Sequence, residues 1–140
     1  MGRNAADSRL WQTSLGLPIA CIFPGQSRVQ VAEAMRRCAV FALPSRYEGL
    51  GCVYLEAMSS GKPTIACREQ GIAEVIRHGR NGLLVGPNND KELALAIAML
   101  LRNGPQRRQM SIAARGTILE RFTLAHQAEA LARIYRECAA

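Results

Sequence analysis

Short runs of consecutive apolar residues alternate with amphipathic stretches along the chain, with turn-forming residues between them. "IACIF" (19–23), "AVFALP" (39–44), "TIAC" (64–67) and "LLV" (83–85) each predict a strand buried on both faces. Pro24-Gly25 closes the first, Pro44 ends the second, and Asn81-Gly82 turns into the fourth. Ser8 to Leu15 predicts a short helix with Leu10, Trp11, Ser14 and Leu15 on one side. Ser27 and Gln30 form a capping box, opening a helix with Val31, Met35 and Cys38 at i, i+4, i+7. Val53 to Ser60 predicts a helix stopped by Gly61 and Pro63, and a shorter one around Ala73 to Arg77 ends at Gly79. Asn89 and Glu92 form a second capping box, before a helix with Leu93, Ile97, Leu100 and Leu101 inward. Gln106 to Arg121 reads as helical, with Met110, Ala113, Ala114 and Ile118 in step. Thr123 caps a last helix, in which Leu124, Ala128, Leu131, Tyr135 and Cys138 repeat at helical spacing.

Doubly buried strands alternating with helices predict an α/β fold with a parallel, Rossmann-like sheet and flanking helices. With 140 residues and no internal repeat, low-complexity segment or linker, the expectation is one domain over 1–140. No apolar run approaches the ~20 residues of a membrane span, and "MGRNAADSRLW" offers no secretory core. The five cysteines, at 21, 38, 52, 67 and 138, form no C-x-x-C pair and sit in apolar stretches as small hydrophobes. Neither histidine lies near a cysteine pair, so a zinc site is not expected, and free thiols suggest a reducing, cytoplasmic compartment. The net charge of +7 suits phosphorylated ligands, an anionic membrane surface at its inner face, or nucleic acid. Scattered arginines and 5% aromatics make nucleic acid the minor reading, and Arg102 to Arg121 reads as a solvated helix face.

The candidate chemistry lies in "FALPSRYEGLGCVYLEAMSSGKP" (41–63), where the second strand hands over to a helix. Ligands of parallel sheets bind beyond the carboxyl ends of the strands. There Gly49, Leu50, Gly51 and Cys52 would offer backbone amides to a phosphate at a helix N-terminus. Glu48 in the loop and Glu56 inside the helix could each accept hydroxyl hydrogen bonds from different parts of one ligand. The alternative is an ordinary helix start with two solvated acids. Familiar phosphate motifs are absent: "GLGCVY" has Tyr54 at the third glycine position, and Gly61-Lys62 is followed by Pro63. Asp7 and Asp90 are the only aspartates, so no Asp-x-Asp metal motif exists, and no G-x-S-x-G elbow is present. His78 and His126 read as surface residues in a turn and on a helix.

"PSRYEGLGCVYLEAMSSGKPTIACREQGIAEVIRHGRNGLLV" resembles the donor-site region of retaining GT-B glycosyltransferases of family 4, glycosyl transferase group 1. Glu48 and Glu56 match that family's Glu-x7-Glu. Gly61 and Pro63, Gly71 and Glu74, and Asn81 to Val85 continue the pattern, and "ERFTLAHQAEALARIYREC" is similar to its closing helix. The similarity is clearest from about 15 to 138 and implies most of the C-terminal half of a GT-B fold. It also implies a nucleotide-diphosphate sugar as substrate, with Glu48 on the donor sugar, Gly49 to Cys52 facing sugar and diphosphate, and Glu56 on the ribose. No metal or other cofactor is implied. Two departures stand out: Gln70-Gly71 where the family usually has Gly-Gly, and Leu50 where it has Phe. The family's upstream Gly-Arg…Lys pair and its acceptor domain match nothing in this chain. The resemblance therefore implies a donor-domain fragment, its acceptor domain on a separate chain or lost, or a homodimer. The alternative is a non-catalytic binding or interaction module that keeps the fold without transferase activity.

Overall fold

The computed structural model describes residues 25–45 and 47–139. Contacts divide the chain into two units, Met1–Ala34 and Met35–Ala140. The helix expected over 8–15, the strand expected over 19–23 and Cys21 lie outside the described residues.

Helix α1 (Arg28–Arg37) opens on the expected capping box. The Ser27 N–H donates to Gln30 Oε1 at 2.9 Å, and the Gln30 N–H to Ser27 Oγ at 3.3 Å. Of its expected stripe, Met35 is buried and Cys38 half-buried, while Val31 is exposed.

In the second unit, β1 (Phe41–Leu43), β2 (Thr64–Cys67) and β3 (Gly82–Val85) form a three-stranded sheet in the order β1-β2-β3. Both pairings are parallel, with Ala42 opposite Ile65 and Ile65 opposite Leu83. The parallel α/β expectation holds. Strand β1 is shorter than its apolar run, because pairing starts at Phe41 and Pro44 cannot donate to a ladder.

Helix α2 (Cys52–Ser59) joins β1 to β2 and ends on Gly61, at φ +67°. Its last turn closes with the Gly61 N–H on Met58 O at 2.9 Å and the Lys62 N–H on Ala57 O at 3.0 Å. Between β2 and β3 a 3₁₀ turn (Gly71–Glu74) replaces the helix expected over 73–77. Helices α3 (Asp90–Arg102), α4 (Gly104–Arg121) and α5 (Leu124–Ala139) follow. Asn89 and Asn103 cap α3 and α4 by accepting the N–H groups of Glu92 and Gln106, each at 3.0 Å.

Alternating strand residues reach opposite faces, and two core clusters follow. On one face Ala66, with Phe41, Leu43 and Leu84 at its margin, meets Tyr54 and Met58 of α2, Ile72, Val75 and Ile76, and Ala114 and Ile118 of α4. On the other, Ile65, Leu83 and Val85 meet Leu100 of α3 and Met110 of α4. Helices thus cover both faces of the sheet.

Besides Val31, four expectations about apolar positions fail. Strand β1 is not buried on both faces: Phe41 and Leu43 are half-buried and Ala42 is exposed. Leu101, one residue past the buried Leu100, is exposed. Every described residue of α5 is exposed, including Leu124, Ala128, Leu131, Tyr135 and Cys138. Cys67 is buried and Cys38 partly so, with burial raising the Cys38 thiol pKa, but Cys52 and Cys138 are exposed rather than core. No described helix is long and apolar enough to cross a membrane.

Candidate functional site

Because all three strands run parallel, the loops leaving Leu43, Cys67 and Val85 emerge at one edge of the sheet. They surround a cleft of about 860 Å³. Tyr47, Glu48 and Gly49 come from the first loop, Glu69 and Gln70 from the second, Pro87 and Asn88 from the third. A smaller cavity of about 210 Å³ lies over the strand ends and shares Pro87 and Asn88 with it.

The first loop is fixed from below. The Tyr54 hydroxyl donates to Leu43 O at 2.5 Å, tying α2 to the end of β1, and its ring packs edge-on to Phe41. Burial pushes the Tyr54 phenol above its usual pKa and the Glu48 charge adds to the shift, so Tyr54 remains a donor at neutral pH. Gly51, the N-cap of α2, sits at φ +65°, and a Cβ there would stand 2.7 Å from the Tyr54 ring. Glycine is needed at this position twice over.

The first and second loops lock together. Gln70 Oε1 accepts the Glu48 N–H at 2.5 Å. A Cβ on Gly71 would lie 2.6 Å from Gly49 O, so the two backbones touch where only glycine fits. Gln70 thus crosses to the neighbouring loop and holds the peptide that carries the Glu48 carboxylate.

The third loop is latched by Glu92. Its Oε2 accepts the Gly86 N–H at 2.7 Å, and its Oε1 pairs with Arg68 at 2.6 Å. The Gly86 amide, then Arg68, hold this carboxyl below the usual glutamate range. The side chain reaches Gly86 and Asn89 Nδ2 instead of the Asn89 backbone N–H, so the expected capping box is only half formed. Arg68 also donates to Leu84 O at 3.0 Å, which commits it to the scaffold. Asn88 holds φ +54°, a left-handed conformation that asparagine tolerates.

Of the residues singled out from the sequence, Glu48 and Gly49 line the cleft. Leu50 and Cys52 are exposed beside it, Gly51 serves as the turn, and Glu56 is exposed on α2. Tyr47, Glu69, Pro87 and Asn88 were missed. They stand just past strand ends or beside Glu48, so the rule that ligands meet the carboxyl edge would have found most of them. The described lining carries two carboxylates, Glu48 and Glu69, and no cation. Such a wall accepts hydrogen bonds from hydroxyls and leaves phosphate charge to backbone amides and other groups. No cluster of three or more metal-ligating side chains occurs among the described residues.

A family model described as glycosyl transferases group 1 matches residues 2–117. The chain belongs to that family. The chain is 38% identical over 117 residues to alpha-maltose-1-phosphate synthase of Mycolicibacterium smegmatis, covering 79% of this chain and 30% of that one. It is 31% identical over 137 residues to D-inositol 3-phosphate glycosyltransferase of Stackebrandtia nassauensis, covering 94% and 31%. The chain thus spans about a third of the length of these curated relatives. Among solved structures, Anabaena HepE in complex with UDP superimposes with a TM-score of 0.85 at 27% identity, over 94% of this chain and 36% of that one. The C-terminal domain of a Francisella tularensis group 1 glycosyltransferase shares the fold, at TM-score 0.71 and 22% identity over 85% and 62%.

Proposed function

We propose that this chain provides the donor-binding half of a retaining, family 4 glycosyltransferase and binds a nucleotide-diphosphate sugar at the strand-end cleft. The observation that carries the reading is the Glu48 loop, held by Gln70 and Gly71 against its neighbour, at the edge where parallel sheets bind ligands. Solved neighbours crystallised with UDP and with UDP-glucose support a nucleoside diphosphate as the ligand class.

Glu48 accepts hydroxyls of the donor sugar, as the catalytic-site carboxylate of the Glu-x7-Glu pair. Amides from Gly49, Leu50, Gly51 and Cys52 face the sugar and diphosphate at the start of α2, and Glu56 holds the ribose. Transfer with retention proceeds by attack on the face from which the nucleoside diphosphate departs. The chief chemical task is to stabilise charge growing on that leaving group, which preorganised amides do without reorganising. The acceptor hydroxyl must be held against the anomeric carbon by a facing surface, which an acceptor domain supplies. No metal takes part.

Calorimetric titration with UDP, GDP and ADP, and then with the matching nucleotide sugars, tests the reading. One nucleotide should bind, and its sugar conjugate should bind more tightly by a margin that Glu48→Ala removes. Absence of binding by all three nucleotides would sink it.

A further inference from the structure

A second cavity lies at the opposite edge of the sheet, where the 77–81 turn enters β3 and faces α4. It measures about 260 Å³, too small for a nucleotide sugar, and is lined by Arg77, Arg80 and Arg121 with Asn81, Thr117 and Glu120. Its floor is rigid. Asn81 is buried, donates to Val75 O at 3.1 Å and Thr117 Oγ1 at 2.9 Å, and accepts the Arg77 N–H at 2.7 Å. Its rim is cationic. Among the described residues none of the three guanidiniums pairs with a carboxylate, and Arg121 rests over the Phe122 ring at 5.4 Å. Glu120, the one acid of the lining, is itself exposed and makes no ion pair among the described residues.

The neighbouring ridge of α4 has a composition that a soluble anion would not require. Ile112 is 75% exposed and Leu119 58% exposed, seven residues apart on one side of the helix. The exposed Arg108 and Arg115 share that side. Cationic side chains around protruding aliphatic ones match the boundary between headgroups and acyl chains, where both kinds of contact form at once. Nucleic acid would use the arginines alone and leave Ile112 and Leu119 in water.

We infer that the Arg77–Arg80–Arg121 pocket takes the phosphate of an anionic lipid headgroup and, with Ile112 and Leu119, docks this face of the chain on a negatively charged membrane. The site stands apart from the strand-end cleft and does not depend on the nucleotide reading.

Co-sedimentation of the full chain with phosphatidylcholine vesicles, and with vesicles containing 30% phosphatidylglycerol, tests the inference. The chain should bind the anionic vesicles and not the neutral ones, with affinity falling as salt rises. Each arginine near the surface is worth roughly fivefold, so R77Q/R80Q/R121Q should lose about a hundredfold. R28Q/R37Q/R133Q, the same charge change elsewhere, should lose far less. E120Q should strengthen binding, and I112S/L119S should weaken it without removing its salt dependence. Unchanged urea denaturation of each variant secures the comparison. Equal losses from the two triple variants would reduce the effect to net charge and overturn the site. Saturation by free inorganic phosphate or glycerol phosphate at concentrations that displace the vesicles would assign the pocket to a soluble anion. Tight binding of a single-stranded RNA, lost in the same pocket triple variant, would overturn the lipid assignment as well.

Discussion

Gly71→Ala is a sharp test of how the candidate cleft is built. Gly71 has no left-handed φ, so alanine would suffer no backbone strain and the effect is purely one of space. The new methyl would meet Gly49 O at 2.6 Å, Gly49 C at 2.9 Å and Leu50 N at 3.3 Å, all backbone atoms. Ordinary contact begins at 3.4 Å, so one loop must retreat by several tenths of an ångström, up to about 0.8 Å. Overpacking of that size costs about 1–3 kcal/mol. For a chain of this length that lowers Tm by about 3–5 °C per kcal/mol. The retreating loop carries Glu48 and its bond to Gln70, so affinity for the nucleotide sugar should fall about tenfold, equivalent to ~1.4 kcal/mol. Gly116→Ala is the control. A Cβ there meets nothing within 4 Å, and alanine inside α4 should be neutral or stabilise by about 0.4–1 kcal/mol. Thermal denaturation and calorimetry on both variants decide the matter. A Gly71→Ala chain that melts with the wild type and binds the sugar nucleotide equally well would refute the reasoning from backbone contact.

Glu56→Ala should weaken nucleotide binding by about 1–3 kcal/mol, the worth of charge-assisted hydrogen bonds to a ribose, and equal titration curves would remove Glu56 from the site. Nucleotide affinity should be the same in EDTA as in Mg²⁺ or Mn²⁺; affinity that vanishes with chelation contradicts a metal-free site. Glu92 is held below its ordinary pKa by the Gly86 amide and Arg68. Its stabilising contribution is therefore complete above the usual glutamate range of about 4.3 and is lost as pH falls through the lower native value. The urea midpoint of Glu92→Gln should accordingly lie below that of the wild type at pH 7 and converge with it in acid; a constant gap from pH 7 to pH 3 would count against the latch.

Much of this structure could be read from residue order because local signals and tertiary packing agree. "TIAC" is β2 residue for residue, and β3 adds only Gly82 to "LLV". The capping boxes marked the start of α1 and, through Asn89, of α3. Disagreements arise where a distant partner decides. The helix expected at Ala73 became a 3₁₀ turn beginning at Gly71, the residue wedged against Gly49. No local spacing encodes that contact. Gln70 reads as a departure from the family's glycine, and only the fold shows its oxygen on the Glu48 amide. Tyr47, Glu69 and Asn88 meet in one cleft because three strands lie side by side in register, a property of topology.

Helix α5 carries a consequence for how the molecule unfolds. Neither core cluster contains a residue beyond Phe122, and all described α5 side chains are exposed. A helix of 16 residues without packing is marginal in water. Its amides should exchange with deuterium far sooner than those of β2 or α4, at energies well below global unfolding. Ending the chain after Phe122 should therefore leave the denaturant midpoint of the remainder almost unchanged, and would remove Leu124, Leu131, Ile134 and Tyr135 from the surface available for self-association.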